Sequence, residues 1–395
     1  MKSNARTDVK PLFWGDRGRD YLNVLHIIVG LGGGGAEGAL CRLCEHAPRS
    51  TRMIVVSLTD DGIHGPRLRD AGVEVIALGM GSALSFPRAL GQLLSLLRAR
   101  KPDVLQTWMY HADLLGGLVG RLVGIPVCWG IRTSDVAGIG NSLTKSIARL
   151  CVLGSRVLPV HAVSCGQHAA QQHRAFGYRV PMTVVPNGYE FARWAAASST
   201  PHVRASFGLA DDDIVFAHAA RAHPQKDHRG LALAFNQAHA RDPRVRLLLC
   251  GRGLETGAPE FEALPFSNEA RSAVRALGAR DDLPQLWGLA DFFVLSSINE
   301  GFPNVVAEAM ASGLPAVVTD AGDAALIVGD TGTVVPPSDP AALALAMLKM
   351  AAMPAPARRA LGMAAAQRVR ENYSVQRMVD GFHSVWREIL DKAGR

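Results

Sequence analysis

Long apolar runs are missing from this chain of 395 residues: the longest candidate, residues 114–131, is interrupted by Arg121 and several glycines. A helix crossing a bilayer needs roughly 20 consecutive apolar residues, so none is expected. Cysteine is scarce. Six residues are too few for a disulfide framework in a chain of this length and suit reduced core thiols. Cys41 and Cys44 form one C-x-x-C pair, but no second pair follows, and the spacing puts both on one face of a helix. No His/Cys cluster has zinc spacing, and no Walker or G-x-S-x-G sequence occurs, so nothing requires a bound metal. Aromatic residues make up 6% and charged residues 19%, against 48% hydrophobic, which is the composition of a folded globular protein. The first 20 residues are polar, mixed in charge and without an apolar segment. They read as a mobile tail rather than a signal peptide, with the protein expected in the cytoplasm.

Negative charge is also scarce in the first half. Residues 1–200 hold 22 Lys+Arg against 13 Asp+Glu, whereas residues 201–395 hold 20 against 22, an imbalance that the net charge of +7 hides. No aromatic and basic interleaving marks a nucleic-acid module. The excess fits a solvated basic surface, anionic lipid head groups or a phosphorylated acceptor.

What is present is alternation. A strand over residues 23–29 runs into a glycine-rich loop and a helical pattern over 36–46, and further strands follow over 53–58, 73–78 and 104–107. After the segment VVPNGYEFARW the alternation restarts, with strands over 214–218, 245–250, 291–295 and 316–318 and a helix over 230–240. Such βαβ alternation implies α/β architecture with two doubly wound parallel sheets. The domains expected are 21–188 and 189–373, with a surface connection over 195–203. A terminal helix over 374–391 has apolar residues at helical spacing.

Chemistry-bearing residues sit where strands end. In the stretch ADFFVLSSINEGFPNVVAEAMASGLPAVVTD, Glu300 lies in a loop and Glu308 on the helix that follows, which stops at Gly313 and Pro315. Free backbone N–H groups at that helix start suit an anion such as a phosphate. Eight positions at about 1.5 Å each would separate the glutamates by roughly 12 Å if fully helical, beyond the spacing of a glycosidase pair. Arg221 and Lys226, in AARAHPQKDH, follow another strand and could neutralise a leaving diphosphate without a metal. His111, in QTWMYHADLLGG, lies past a parallel strand where open sheets bind ligands, and Arg132, in GIRTSD, is placed for a donor phosphate or an acceptor. Residues 30–35 match G-x-G-x-x-G, which with Asp60 or Asp61 as ribose-binding acid would fit a nicotinamide enzyme, although this leaves the second half unused. Asp211 and Asp213 form a D-x-D that reads as a solvated turn. Lys145, Arg149 and Arg156 share a helical face beside Leu143, Ile147, Leu150 and Leu153, and residues 86–101 form another basic helical stretch. Both suit either a core-facing helix with a solvated basic side or an anionic membrane surface.

Glu300 and Glu308 in EGFPNVVAEAMASGLPAVVTD resemble the glutamate pair of the retaining glycosyltransferases of family 4, and the likeness extends from about Asn23 to Trp386. The resemblance implies a GT-B fold, in which two Rossmann-like domains face across a cleft. The first would hold the acceptor, the second a nucleotide sugar, and the terminal helix would cross back to the first. It implies a hexosyltransferase of cell-envelope polysaccharide synthesis, using a nucleotide-diphosphate sugar, most commonly UDP-linked, and a glycan or lipid-linked acceptor, with no cofactor. It gives Glu308 the ribose hydroxyls, Glu300 the donor sugar, and His111 a hydrogen bond near the reacting carbon. Arg221 and Lys226 take the diphosphate, and Gly32, Gly33, Gly34 and Gly35 approach diphosphate and acceptor. The backbone N–H groups of Gly301, Phe302, Asn304 and Val305 reach sugar hydroxyls and phosphate, and Arg280 and Leu283 are assigned to the base. A non-catalytic nucleotide-sugar-binding protein of the same fold is the other outcome.

Overall fold

The structure, a computed structural model, describes residues 21–81, 85–136, 142–194 and 201–394. The tail over 1–20 and most of the connection over 195–203 fall outside these residues. The first sheet comprises β1 (Leu22–Ile28), β2 (Thr51–Ser57), β3 (Glu74–Ala77), β4 (Val104–Trp108), β5 (Val127–Ile131), β6 (His161–Ser164) and β7 (Met182–Val184). Its order is β3-β2-β1-β4-β5-β6-β7, and Val24 pairs with Met53 on one side and Val104 on the other. The second comprises β8 (Ile214–Ala219), β9 (Val245–Cys250), β10 (Val274–Gly278), β11 (Phe292–Leu295), β12 (Ala316–Thr319) and β13 (Thr333–Val335), in the order β10-β9-β8-β11-β12-β13. All pairings are parallel. This is the α/β arrangement of two doubly wound sheets that the alternation implies.

Parallel strands are covered on both faces, which is why the central ones read as continuous apolar runs instead of alternating. All seven residues of β1, LNVLHII, are buried. Of its two polar residues, Asn23 and His26, the latter accepts from Trp108 Nε1 at Nδ1 (3.1 Å), and burial drives its pKa down to about 3, so it stays neutral.

Eight helices frame the argument that follows: α1 (Gly35–Glu45), α2 (Phe86–Arg100), α3 (Tyr110–Val123), α4 (Ser142–Gly154), α5 (Gln167–Phe176), α6 (His228–Arg241), α7 (Asn304–Ala311) and α8 (Val375–Lys392). Cys41 and Cys44 lie buried on α1, and all six cysteines are free and buried, in keeping with core thiols. Burial pushes the Cys41 thiol up to about 12, which leaves it unreactive at neutral pH. Helix α4 departs from the core-facing expectation: it buries Ala148 and Cys151, while Leu143, Leu150 and Leu153 stay exposed. The D-x-D also differs in part. Asp211 and Asp212 are exposed, but Asp213 is buried and paired with Arg246 at 3.1 Å, because its carboxylate also closes the turn at Ala210 N.

Helix α8 packs on the first sheet, although it follows the second in sequence. It buries Met378, Val379, Phe382, Val385, Trp386 and Ile389, and Trp386 Nε1 donates to Gln106 Oε1 of β4 (3.0 Å). The chain thus passes twice between the sheets. The two crossings run side by side, joined by Tyr189 N to Tyr373 O (2.9 Å) and Val375 N to Tyr189 O (3.1 Å).

Candidate functional site

Each sheet reverses its winding once, between β1 and β4 and between β8 and β11. At such a point the loops leaving neighbouring strands diverge, and a crevice opens at the carboxyl ends. The first crevice receives residues 30–35 after β1 and His111 after β4. The second receives Arg221 and Lys226 after β8 and Glu300 after β11. Topology therefore brings together residues that lie up to 270 positions apart in the chain.

The two crevices face each other at close range. A Cβ on Gly35 would stand 2.7 Å from Nδ2 of Asn304, the first residue of α7, so any side chain here would have to displace the Asn304 amide. Ser134 Oγ donates to the Glu300 carbonyl (2.6 Å) and lies 3.0 Å from Asn299 Oδ1. Gln225 Nε2 donates to Asp135 across the same boundary. The Asp323 carboxylate accepts from the N–H groups of Gln167 (2.7 Å) and His168 (2.8 Å), capping α5 from the opposite sheet.

In the second crevice Lys226 Nζ lies 2.5 Å from Glu300 Oε1, which also accepts from Ser297 Oγ (2.7 Å). Both contacts fall on one oxygen, leaving Oε2 for a ligand hydroxyl. Two further bonds tie the loops that carry this pair: Ser296 Oγ to Lys226 O and Ile298 N to Gln225 O, each 2.8 Å. Arg221, on the same loop after β8 as Lys226, is exposed. Helix α7 has Pro303 as its N-cap and no side-chain cap. Among the described residues, the N–H groups of Gly301, Phe302, Asn304 and Val305 have no backbone acceptor. Glu308 shares a helix face with Asn304, whose Oδ1 accepts from Tyr189 OH (2.5 Å) and Asn187 Nδ2 (2.9 Å). Only residues from Asn304 onward are helical, so the separation reckoned for a continuous helix from Glu300 to Glu308 does not apply.

The first crevice is built differently. His111 is half-buried on α3, and burial lowers its pKa, which favours a neutral imidazole. Met109, just before the helix, has φ +71°, a strained conformation for a side-chain-bearing residue, held by its N–H on Gly130 O (3.0 Å). Beneath it Asp113 is buried and accepts from Thr107 Oγ1 (2.5 Å) and Gly130 N (3.3 Å); burial raises its pKa to about 8. Arg132 leaves β5 with its guanidinium 4.1 Å from the Trp108 ring centroid, and Nη1 donates to Asn187 Oδ1 (3.2 Å). Its Nε and Nη2 are buried without a partner among the described residues, and burial lowers its pKa to about 10, so it remains charged.

Arg280 and Leu283, assigned to the base, stand apart in sequence from these loops. They follow β10, two strands from β8, and Arg280 is engaged by Asp282 through two bonds of 2.8 and 2.6 Å. The candidate ribose acids are likewise locally engaged: Asp61 pairs with Arg69 (2.7 Å), and Asp60 Oδ1 accepts from Gly62 N (3.0 Å). Ser134, Asn187, Tyr189, Gln225, Ser297 and Asp323 are the residues that motif reading missed. Ser134 stood in the segment that flagged Arg132, but nothing local marks Asp323, whose partners lie 155 and 156 positions away.

Two parallel sheets with opposed switch points, bridged by a returning terminal helix, make up the GT-B architecture. A model described as Glycosyltransferase Family 4 matches residues 33–193, and one described as Glycosyl transferases group 1 matches residues 212–353. The chain belongs to the glycosyltransferases of family 4. It is 28% identical over 317 residues to EpsF of Bacillus subtilis, a protein whose name assigns it to the glycosyltransferases, covering 75% of this chain and 79% of EpsF. It is 26% identical over 251 residues to the UDP-Gal:alpha-D-GlcNAc-diphosphoundecaprenol alpha-1,3-galactosyltransferase of Escherichia coli, covering 60% of this chain and 63% of that enzyme. Crystal structures of HepE from Anabaena with UDP and with UDP-glucose superpose with TM-scores of 0.79 and 0.78, at 20% and 19% identity, over 93% of this chain and all of theirs. The comparisons give no support to the nicotinamide reading. No single helix among the described residues is long and apolar enough to cross a membrane.

Proposed function

We propose that this glycosyltransferase moves a hexose from a UDP-sugar to a glycan or lipid-linked glycan acceptor, with retention of anomeric configuration, in cell-envelope polysaccharide synthesis. The observation that carries this reading is the Lys226–Glu300 pair, with Arg221 on the loop that bears Lys226, and the uncapped start of α7. One carboxylate oxygen is free for a sugar hydroxyl, and two cations with several N–H groups converge where a diphosphate would depart. Charge-assisted hydrogen bonds in a crevice shielded from water are strong enough to stabilise a leaving group without a metal. Glu308 would take the ribose hydroxyls. His111, neutral at working pH, would hydrogen-bond the donor sugar from the opposite wall.

The donor's bond from anomeric carbon to phosphate oxygen breaks as the acceptor oxygen bonds to that carbon on the same face. The acceptor proton passes to the departing phosphate oxygen, and the nucleoside diphosphate leaves. Approach of the two crevices keeps water from competing. The basic first half suits residence at an anionic inner membrane face. Incubation with UDP- and GDP-hexoses in EDTA, with NAD(H) as control, tests the reading by proton NMR of the product. Release of UDP with an α-configured product from an α-linked donor is expected. A β product contradicts retention, and binding of NAD(H) alone contradicts the transferase assignment.

A further inference from the structure

We infer that the first domain holds a groove for the apolar chain of an anionic, lipid-linked acceptor, running from His111 along α3 and α4. This rests on the transferase reading, which sets His111 beside the reacting carbon. The groove has a volume of about 590 Å³, within the range of sites that bury small ligands. Leu58, Met80, Phe86, Leu114, Leu118 and Ile147 form its walls, and His111 is its polar end among the described residues. An apolar chain lying there would present its head at the crevice where transfer takes place.

The apolar surface does not stop at the groove. On α3, Leu114, Leu118 and Leu122 follow one another at four-residue spacing, with Leu118 and Leu122 47% and 75% exposed. On α4, Leu143 and Leu153 are 61% and 75% exposed. Scattered exposed leucines are ordinary, but a continuous apolar strip leading out of a cavity marks a binding surface.

Charge identifies the occupant. Helices α2, α3 and α4 carry no exposed carboxylate: their one acid, Asp113, is buried. Arg88, Arg121, Lys145 and Arg149 on the same helices are exposed. A neutral glycan would leave the groove empty, and free phosphate would use only the cations. A chain of isoprenoid type ending in a phosphate-linked sugar uses both. Transfer to it follows the bond changes given above, the acceptor oxygen being a hydroxyl of the lipid-borne sugar.

Calorimetry on the full chain with farnesyl phosphate, inorganic phosphate and UDP tests this, using wild type, Leu118→Glu and Leu143→Glu, both at exposed positions where folding should survive. The expected result is farnesyl phosphate binding at least tenfold tighter than phosphate, a loss of at least tenfold in each variant, and UDP affinity within twofold throughout. Equal affinity for farnesyl phosphate and phosphate, or no effect of either substitution, would overturn the groove while UDP binding left the donor site standing. Failure of wild type to bind UDP would instead sink the transferase reading. Retention on phosphatidylglycerol vesicles that depends on Leu122 and Leu153, without farnesyl phosphate binding, would also overturn the groove and make this face a membrane dock.

Discussion

The two switch points share a topology but not a chemistry. After β8 and β11 the crevice is electrically prepared, with Lys226 2.5 Å from Glu300, Arg221 exposed on the loop that bears Lys226 and the start of α7 uncapped. After β1 and β4 it is formed by four glycines, a half-buried histidine with a lowered pKa and a buried carboxyl held near 8. A multiply charged ligand is stabilised by fixed counterions and helix dipoles, whereas a hydroxyl acceptor needs close backbone approach and a neutral hydrogen-bonding group. This difference supports the proposed placing of donor and acceptor in opposite halves of one pseudo-symmetric scaffold.

The largest expected effect comes from removing the charge that orders the second crevice. Glu300→Ala should lower kcat by about 10³-fold, as loss of a group acting on the transition state does. UDP affinity should change little, since the substitution spares Glu308 and α7. Steady-state kinetics with calorimetry on the same preparation separates the two, and full activity would break the assignment.

A smaller effect tests the glycine side. Gly35→Ala places a methyl where Asn304 Nδ2 stands, whereas a Cβ on Gly32 meets nothing within 4 Å. Misplacement by about 1 Å costs on the order of 10²-fold, so kcat/KM should fall by about that factor for Gly35→Ala and hardly for Gly32→Ala. Equal effects in both would mean that the approach of the two crevices is not what demands glycine.

Buried groups also respond to pH with opposite sign, the histidines of both halves in one sense and Asp113 in the other. In the second half, His218 donates from Nδ1 to Val294 O (2.9 Å), its Nε2 lies 3.3 Å from His228 Nε2, and burial lowers their pKa values to about 4 and about 3. An unfolded histidine titrates near 6.5, so the unfolded chain binds protons first as pH falls. Their stabilising contribution is complete above that value and is lost as pH falls towards the folded pKa. Asp113, raised to about 8, behaves inversely: its contribution is complete below the unfolded value near 4 and is lost as pH rises towards 8. Urea unfolding of wild type against His228→Gln should show wild type losing about 2 kcal/mol more between pH 7 and pH 5. Parallel curves would contradict a neutral buried imidazole.

Much of the scaffold was legible because parallel strands announce themselves. The run VRLLLC and the glycine-rich loop after β1 need no partner to be read, and Glu300, Arg221 and Lys226 stand at strand ends where ligands gather. Short strands such as β7 and β13, three residues each, lack a pattern long enough to recognise. Contacts across the cleft were invisible for a different reason. Asp323 and Ser134 act on backbone groups of the other half, and a side chain that caps a distant helix leaves no periodicity in its own segment. The leucines of α4 left two readings open because helical spacing shows that one face is apolar, not what covers it.

Calorimetric titration of UDP into wild type, Glu308→Ala and His111→Ala bears most directly on the division of labour between the crevices. The account predicts that Glu308→Ala weakens UDP binding at least tenfold while His111→Ala keeps it within twofold. Loss of UDP binding in His111→Ala with Glu308→Ala unaffected would place the nucleotide in the first crevice and contradict the account.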